Sequence, residues 1–311
     1  LAARSLEAPT SMIKHVTIIG HGAIGSLWAY YLNKSGLQVS VVGRSANSPK
    51  ISLKVELPNL THDVVTLDYY QQQLPPRYDL VLVTTKAYQV PAALSPFLAQ
   101  LATTPIVLLH NGMGSVERLT LAPSQSIMLA TTSHGAFKAD PTTLCHTGLG
   151  ETFIGRYQGI STAQTQAIAT LLDRALPKVS YCQDIKRALW QKLAINCAIN
   201  PLTAIEQCRN GQLSEARFQA SIDQVCHEVS LLTAKLNIDL NYQEIRQSVN
   251  QVIAKTANNF SSMQQDIEHN RVSEIDFISG YVVSQGQSLG IETPKNKALW
   301  QAVKQLELSS G

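Results

Sequence analysis

A β-branched run, His15-Val-Thr-Ile-Ile19, passes without a gap into Gly20-His-Gly-Ala-Ile-Gly25. The next residues, 26–34, contain neither glycine nor proline and stop at Ser35-Gly36, so they read as a helix. Gln38-Val-Ser-Val-Val42 follows as a second strand. Strand, glycine turn, helix and strand within about thirty residues form the context that makes a bare G-x-G-x-x-G a dinucleotide-binding fingerprint. Gly20 permits the tight turn, Gly22 lets a pyrophosphate come near the backbone, and Gly25 lets helix and strand pack closely. The helix N-terminus then offers its N–H groups to phosphate. His21, Ala23 and Ile24 occupy the free positions of the same cofactor-binding turn. A purely structural turn is the competing reading, and the flanking strands and helix weigh against it.

The end of the second strand distinguishes the dinucleotides. An NAD site places an acidic residue there for the ribose 2′-hydroxyl. This chain has Gly43-Arg44-Ser45 instead. A guanidinium suits a 2′-phosphate, so Arg44 predicts NADP(H), against the alternative of an ordinary surface arginine. Residues 51–57 and 63–67 read as short strands of a connection. Residues 78–83 form a buried strand ending in Thr84-Thr-Lys86, and residues 105–109 form another, ending in His110-Asn111-Gly-Met-Gly114. In open α/β sheets ligands lie at the carboxyl ends of strands, which places Lys86 and Asn111 toward the cofactor. Either also suits a plain turn, Asn-Gly above all.

Residues 127–157 hold short strands with glycines between them, read as hairpins closing the far edge of the sheet. A helix at 163–172 and a last strand at 178–181 complete this part. Everything after Asp184 is helical in pattern, with candidates at 215–236, 242–256, 260–268, 274–287 and 295–306. The predicted fold is α/β: a Rossmann-type dinucleotide-binding domain over 12–182, followed by an all-α C-terminal domain over 183–311.

The first C-terminal helix carries the second constellation. Asp184-Ile-Lys-Arg-Ala-Leu-Trp-Gln-Lys-Leu-Ala-Ile-Asn-Cys-Ala-Ile-Asn200 has no glycine or internal proline and is followed by Pro201, with Asp184 a suitable N-cap. From Leu189 onward it is apolar on nearly every side, which marks a buried helix. Lys192, Asn196 and Asn200 recur every fourth residue and so form one narrow polar stripe. A wet helix face is the bland explanation. The stripe is too narrow for that, and a buried lysine needs a polar or anionic answer, so it reads as one wall of a crevice.

At 311 residues the chain is long enough for two cores. Its 44% hydrophobic and 15% charged residues exclude a disordered chain. A net charge of +3 without a basic run argues against nucleic acid as a partner. No apolar run is long enough to span a bilayer, which argues against a membrane partner. Five scattered cysteines with no C-x-x-C pattern read as reduced thiols in a cytoplasm, and no metal site is expected. Residues 1–11 lack the apolar core of a signal peptide, so they read as a leftover tag with Met12 as the natural start.

The chain resembles the ketopantoate reductase (2-dehydropantoate 2-reductase) family. The resemblance is carried by Gly20-His-Gly-Ala-Ile-Gly25, Thr85-Lys-Ala-Tyr-Gln-Val90, His110-Asn-Gly-Met-Gly114 and Cys208-Arg-Asn-Gly211. More specific to the family are Leu189-Trp-Gln-Lys-Leu-Ala-Ile-Asn-Cys-Ala-Ile-Asn-Pro-Leu-Thr-Ala204 and the run from Ser261-Ser-Met-Gln-Gln-Asp-Ile267 through Glu274-Ile-Asp276. The resemblance implies NADPH-dependent reduction of the ketone of 2-dehydropantoate to (R)-pantoate, a step towards pantothenate and coenzyme A. It implies Lys192 as proton donor and Asn196, Asn200, Asn210 and Ser262 as substrate ligands, with Asn111 touching both ligands. Gly20 to Gly25, Ala136 and Glu274 would serve the cofactor, with Lys86 and Arg44 at its adenosine end.

His21 is a less usual choice in the turn, and its side chain is expected to point away. Glu274 also reads as a first-turn acid of the helix that follows Ser273, favoured by the dipole. The crevice is expected to close once both ligands are bound, in a monomer or homodimer. Two rivals stand: a related NADPH-dependent reductase of another 2-keto acid, and a non-catalytic NADPH-binding sensor. The sensor would have lost the lysine or its amide partners, yet Lys192, Asn196 and Asn200 are all present.

Overall fold

In the computed structural model, residues 13–44 and 48–309 are described. The expected tag at 1–11, the start at Met12 and Ser45 lie outside the described residues. The chain divides into two units, one running to His110 and resuming over Glu117–Ile185, the other made of Asn111–Val116 and Lys186–Gly311. The short excursion of Asn111–Val116 into the second unit is invisible in a reading by chain order.

The first unit opens with β1 (His15–Ile19), α1 (Ala23–Lys34) and β2 (Gln38–Gly43), then β3 (Lys50–Glu56), β4 (His62–Gln71) and β5 (Leu80–Val83). It continues through α2 (Val90–Leu94), β6 (Ile106–Leu109), β7 (Ile127–Thr132), β8 (Gly135–Asp140), β9 (Thr143–Gly148) and β10 (Thr152–Gln158), and ends with α3 (Thr162–Ala175) and β11 (Val179–Tyr181). Among the described residues these strands form one 11-stranded sheet, in the order β11-β10-β7-β6-β5-β1-β2-β4-β3-β9-β8. The stretch from β7 to β4 is parallel throughout, and strand order reverses between β1 and β5. That reversal is where a doubly wound sheet opens its ligand crevice. β5 and β6 are buried along their whole length, as parallel strands covered on both faces must be.

Three expectations for this unit need correction. First, α1 starts at Ala23, before Gly25. Glycine is a poor helix former, but close packing demands one inside this first turn. Second, β3 and β4 are not a connection. β4 pairs in parallel with β2 from Ser40↔Asp68 to Gly43↔Gln71, and β3 pairs antiparallel with β4.

Third, the strands of 127–157 go to both edges: β9 pairs with β3, while β10 pairs with β7. Local alternation announces a strand but not its partner, which is chosen by distant packing. α1 lies beside both β9 and β4: Tyr31 Oη is 2.9 Å from His146 Nδ1 of β9, and Tyr30 donates to Asp63 Oδ2 of β4 at 2.9 Å. Leu27, Trp28, Ala29, Tyr30 and Leu32 are accordingly all buried.

The second unit is helical: α4 (Ile185–Glu206), α5 (Ala216–Lys235), α6 (Tyr242–Lys255), α7 (Ser262–Glu268), α8 (Ser279–Leu289) and α9 (Pro294–Ser309). α4 is its axis, with Trp190, Leu193, Ala194, Cys197, Ala198 and Ile199 all buried. The helix does not stop before Pro201 but carries it inside. Proline forfeits one backbone bond and crowds the preceding turn. Burial of Leu202, Thr203 and Ala204 outweighs that cost, because packing rather than propensity dominates helix stability. The predicted helix over 274–287 is also divided. Ile275–Phe277 is a single 3-10 turn, and Ile278, with ψ −97°, separates it from α8. No helix among the described residues is long and apolar enough to cross a membrane.

Candidate active site

The glycine turn has the geometry its spacing predicts. Gly20 has φ +110°, and a Cβ there would stand 2.8 Å from Thr85 Cγ2. A Cβ on Gly25 would stand 2.0 Å from the carbonyl oxygen of Gly20 and 2.5 Å from Thr84 Oγ1. Gly22 is the N-cap of α1, no side chain caps this helix, and its first turn contains no acid. A Cβ on Gly22 would meet nothing within 4 Å. First-turn N–H groups without a side-chain cap, beside open space, fit a pyrophosphate, so the residues present suit a dinucleotide.

His21 is half-buried and has company that spacing did not reveal. Lys138 Nζ from β8 lies 3.2 Å from its Nε2 and donates to the carbonyl of Pro141 at 2.8 Å. Tyr69 meets the imidazole edge-on at 6.1 Å. Burial, and then the Lys138 charge, push His21 down to about 4, so the ring is neutral and accepts from the ammonium. Burial lowers Lys138 to about 8, with Asp140 opposing.

Arg44 is exposed directly after β2, and its carbonyl accepts from Gln72 Nε2 at 3.0 Å. Lys86 is half-buried at the start of the turn Ala87–Gln89 that follows β5. Ala136 is half-buried on β8, opposite His146 of β9. The glycine turn, Arg44 and Lys86 thus follow the carboxyl ends of neighbouring parallel strands.

In the second unit, Lys192, Glu274 and Asn111 converge. Lys192 is half-buried on α4, where burial lowers its ammonium to about 8 while Glu274 pulls it upward. Glu274 is itself only 4% exposed. It stands ahead of a single 3-10 turn rather than in the first turn of a long helix, so the reading as a dipole-favoured surface acid fails. Asn111 Nδ2 donates to Glu274 Oε2 at 3.3 Å.

The glycines around Asn111 explain how it gets there. Gly112 and Gly114 have φ +77° and +97°, and a Cβ on Gly112 would stand 2.4 Å from the carbonyl oxygen of Phe277. That carbonyl accepts from Met113 N at 2.8 Å. Phe277 and Tyr281 are the neighbours that sequence reasoning missed, and the glycine pair was the available signal, since glycine marks close backbone approach.

Asn196 is half-buried and Asn200 buried, each one further turn along α4. Ser262 is exposed as the first residue of α7. Its neighbour Ser261 caps that helix by accepting from Gln264 N, and lies 2.7 Å from Thr203 Oγ1 of α4. Ser262 is thereby tied to the Asn200 end of the stripe. Asn210 is held differently. Its Nδ2 donates to Thr256 Oγ1 at 2.8 Å and its N–H to the carbonyl of Asn259 at 2.9 Å, while its Oδ1 is buried without a partner among the described residues. It opens the short turn Asn210–Ser214 between α4 and α5 and is held by the loop after α6, apart from the stripe. An ammonium poised near neutrality beside a buried carboxylate can donate a proton to developing negative charge.

Two family models cover most of the chain. "Ketopantoate reductase PanE/ApbA" matches residues 16–159 and "Ketopantoate reductase PanE/ApbA C terminal" matches residues 184–307. The 2-dehydropantoate 2-reductase of Vibrio cholerae is 42% identical over 299 residues, covering 95% of this chain and 98% of its relative. That of Shigella flexneri is 36% identical over 304 residues, covering 94% and 95%. Among solved structures, the PanE/ApbA family ketopantoate reductase from Ralstonia eutropha superposes with a TM-score of 0.83 at 26% identity, covering 95% of this chain and 99% of that one. D-mandelate dehydrogenase with NADH and anilino(oxo)acetate shares the fold at a TM-score of 0.88 and 22% identity, with 95% and 99% covered. With the glycine turn, the Lys192 helix and both halves matched, the chain belongs to the ketopantoate reductase family.

Proposed function

We propose that this protein reduces the ketone of 2-dehydropantoate to (R)-pantoate with NADPH, in the cytoplasmic route to pantothenate and coenzyme A. The observation that carries the reading is Lys192: an ammonium on a buried helix, lowered to about 8 and facing the Glu274 carboxylate. The family's relatives, named for this reaction, support the choice of substrate.

Bound NADPH supplies the hydride. Lys192 hydrogen-bonds the keto oxygen, stabilises the charge that develops there, and gives up its proton. Glu274, held by Asn111, favours the protonated lysine. Asn196 and Asn200 orient the substrate hydroxyl, and Ser262 takes the carboxylate. Asn210 joins this set as a substrate ligand from the turn between α4 and α5. The first turn of α1 receives the pyrophosphate, Arg44 the 2′-phosphate, and Lys86 and Ala136 complete the cofactor's bed. The protein does this as a monomer or homodimer.

The test is NADPH oxidation on adding 2-dehydropantoate, run beside pyruvate, 2-ketoisovalerate and NADH. A kcat/KM highest for 2-dehydropantoate with NADPH is expected. A higher value for another 2-keto acid, or for NADH, would overturn the substrate or cofactor assignment.

A further inference from the structure

Glu274 stands between residues that are both fastened to α9. On one side, Ser273 gives its backbone N–H and its hydroxyl to Glu307 Oε1, at 2.8 and 2.7 Å. On the other, Asp276 receives the indole N–H of Trp300 at 2.7 Å and the Lys304 ammonium at 3.2 Å. Lys304 also reaches Glu307 at 2.8 Å, so one cation joins both anchor points. Gly280 gives Trp300 its room, since a Cβ there would stand 3.2 Å from the indole nitrogen.

The segment so bracketed buries Ile275, Phe277 and Ile278 but has little regular backbone support of its own. Its regular backbone is one 3-10 turn, with Phe277 N donating to the carbonyl of Glu274 at 3.0 Å and Ile278 N to that of Ile275 at 3.2 Å, and such turns have poor hydrogen-bond geometry. The break at Ile278 separates it from α8. We infer that Asp276, Trp300, Lys304 and Glu307 are positioning residues that hold the Glu274 carboxylate against Lys192, so that the last helix of the chain governs the reactive ammonium. This rests on Lys192 being the proton donor. Glu274 is the charged group whose field acts on Lys192 among the described residues, and it opposes the effect of burial. Loosening the bracket therefore weakens an influence that favours the protonated ammonium.

The experiment is the pH profile of kcat/KM for 2-dehydropantoate in Glu307→Ala, Glu307→Gln, Asp276→Asn and Glu274→Gln, with melting temperature alongside. In Glu307→Ala and Asp276→Asn the alkaline limb should move down by roughly half a unit to one unit. Glu307→Gln, which still accepts from Ser273, should restore part of the shift. In a Glu274→Gln background, Glu307→Ala should add no further shift. Lys304→Met, at a partly exposed position, carries the same expectation should Glu307→Ala not fold. A limb that stays at its wild-type position while the melting temperature falls would reduce the bracket to a structural role. A shift that persists without Glu274 would overturn the inference too. Full activity in Lys192→Ala would instead remove the proton-donor reading itself, and the inference with it.

Discussion

Asn111 and Glu274, 163 positions apart in the chain, are joined by a 3.3 Å hydrogen bond from the amide Nδ2 to the carboxylate Oε2. The bond brings the turn after β6 to the same carboxylate that acts on Lys192. One acid thus serves a neutral donor and a cation, and Lys192 is the member whose loss should be most visible.

Lys192→Ala should lower kcat by about 10²–10⁴, the usual contribution of a positioned general acid, with NADPH binding retained. Steady-state rates and cofactor fluorescence titration check this. In wild type, the reductive rate should fall as pH rises through about 8, where Lys192 loses its proton. That limb should be absent from the residual rate of the variant.

The same lysine should be a burden on stability. Its folded pKa of about 8 lies below the ordinary 10.5, so between these values the unfolded chain binds more protons and stability rises with pH. Below about 8 both states are protonated and the handicap is complete. Lys192→Met should therefore melt roughly 2–4 °C higher at pH 7, and the gap should close as pH approaches 10.5. Calorimetry across pH 7 to 10 measures it, and an unchanged gap would contradict the burial argument.

Arg44→Ala should weaken NADPH by about tenfold or more while leaving NADH within a fewfold, since only NADPH carries the phosphate that a guanidinium recognises. Dissociation constants for both cofactors decide it. Equal losses would show that the phosphate is held elsewhere.

Gly25→Ala should cost about 1–3 kcal/mol or more. The new methyl would stand 2.0 Å from a backbone oxygen, which cannot swing aside as a side-chain tip can. Thermal shift with and without NADPH should show both a lower melting temperature and a smaller increment from the cofactor.

The features legible in the residue order were those written locally. The βαβ unit is contiguous, and its Gly20 and Gly25 are each required by a nearby atom. The Lys192 helix declared itself by an apolar surface with one polar stripe. What stayed hidden depends on remote partners. Nothing near residues 143–148 says that β9 will pair with β3, and nothing near His21 announces Lys138. Pro201 misled because its local penalty is real, and only the burial of the residues after it carries the helix onward. Asn210 has the right residue type, but its partners at Thr256 and Asn259 lie in a loop with no periodicity to read.

The excursion of Asn111–Val116 into the second unit has a consequence for dissection. A fragment cut at residue 186 would lack the peptide that supplies an N–H to the carbonyl of Phe277 and an amide to Glu274. The helical portion cannot be excised intact by one cleavage. Its missing piece would have to be returned, as an added hexapeptide or a grafted loop, before Glu274 regained its neutral partner.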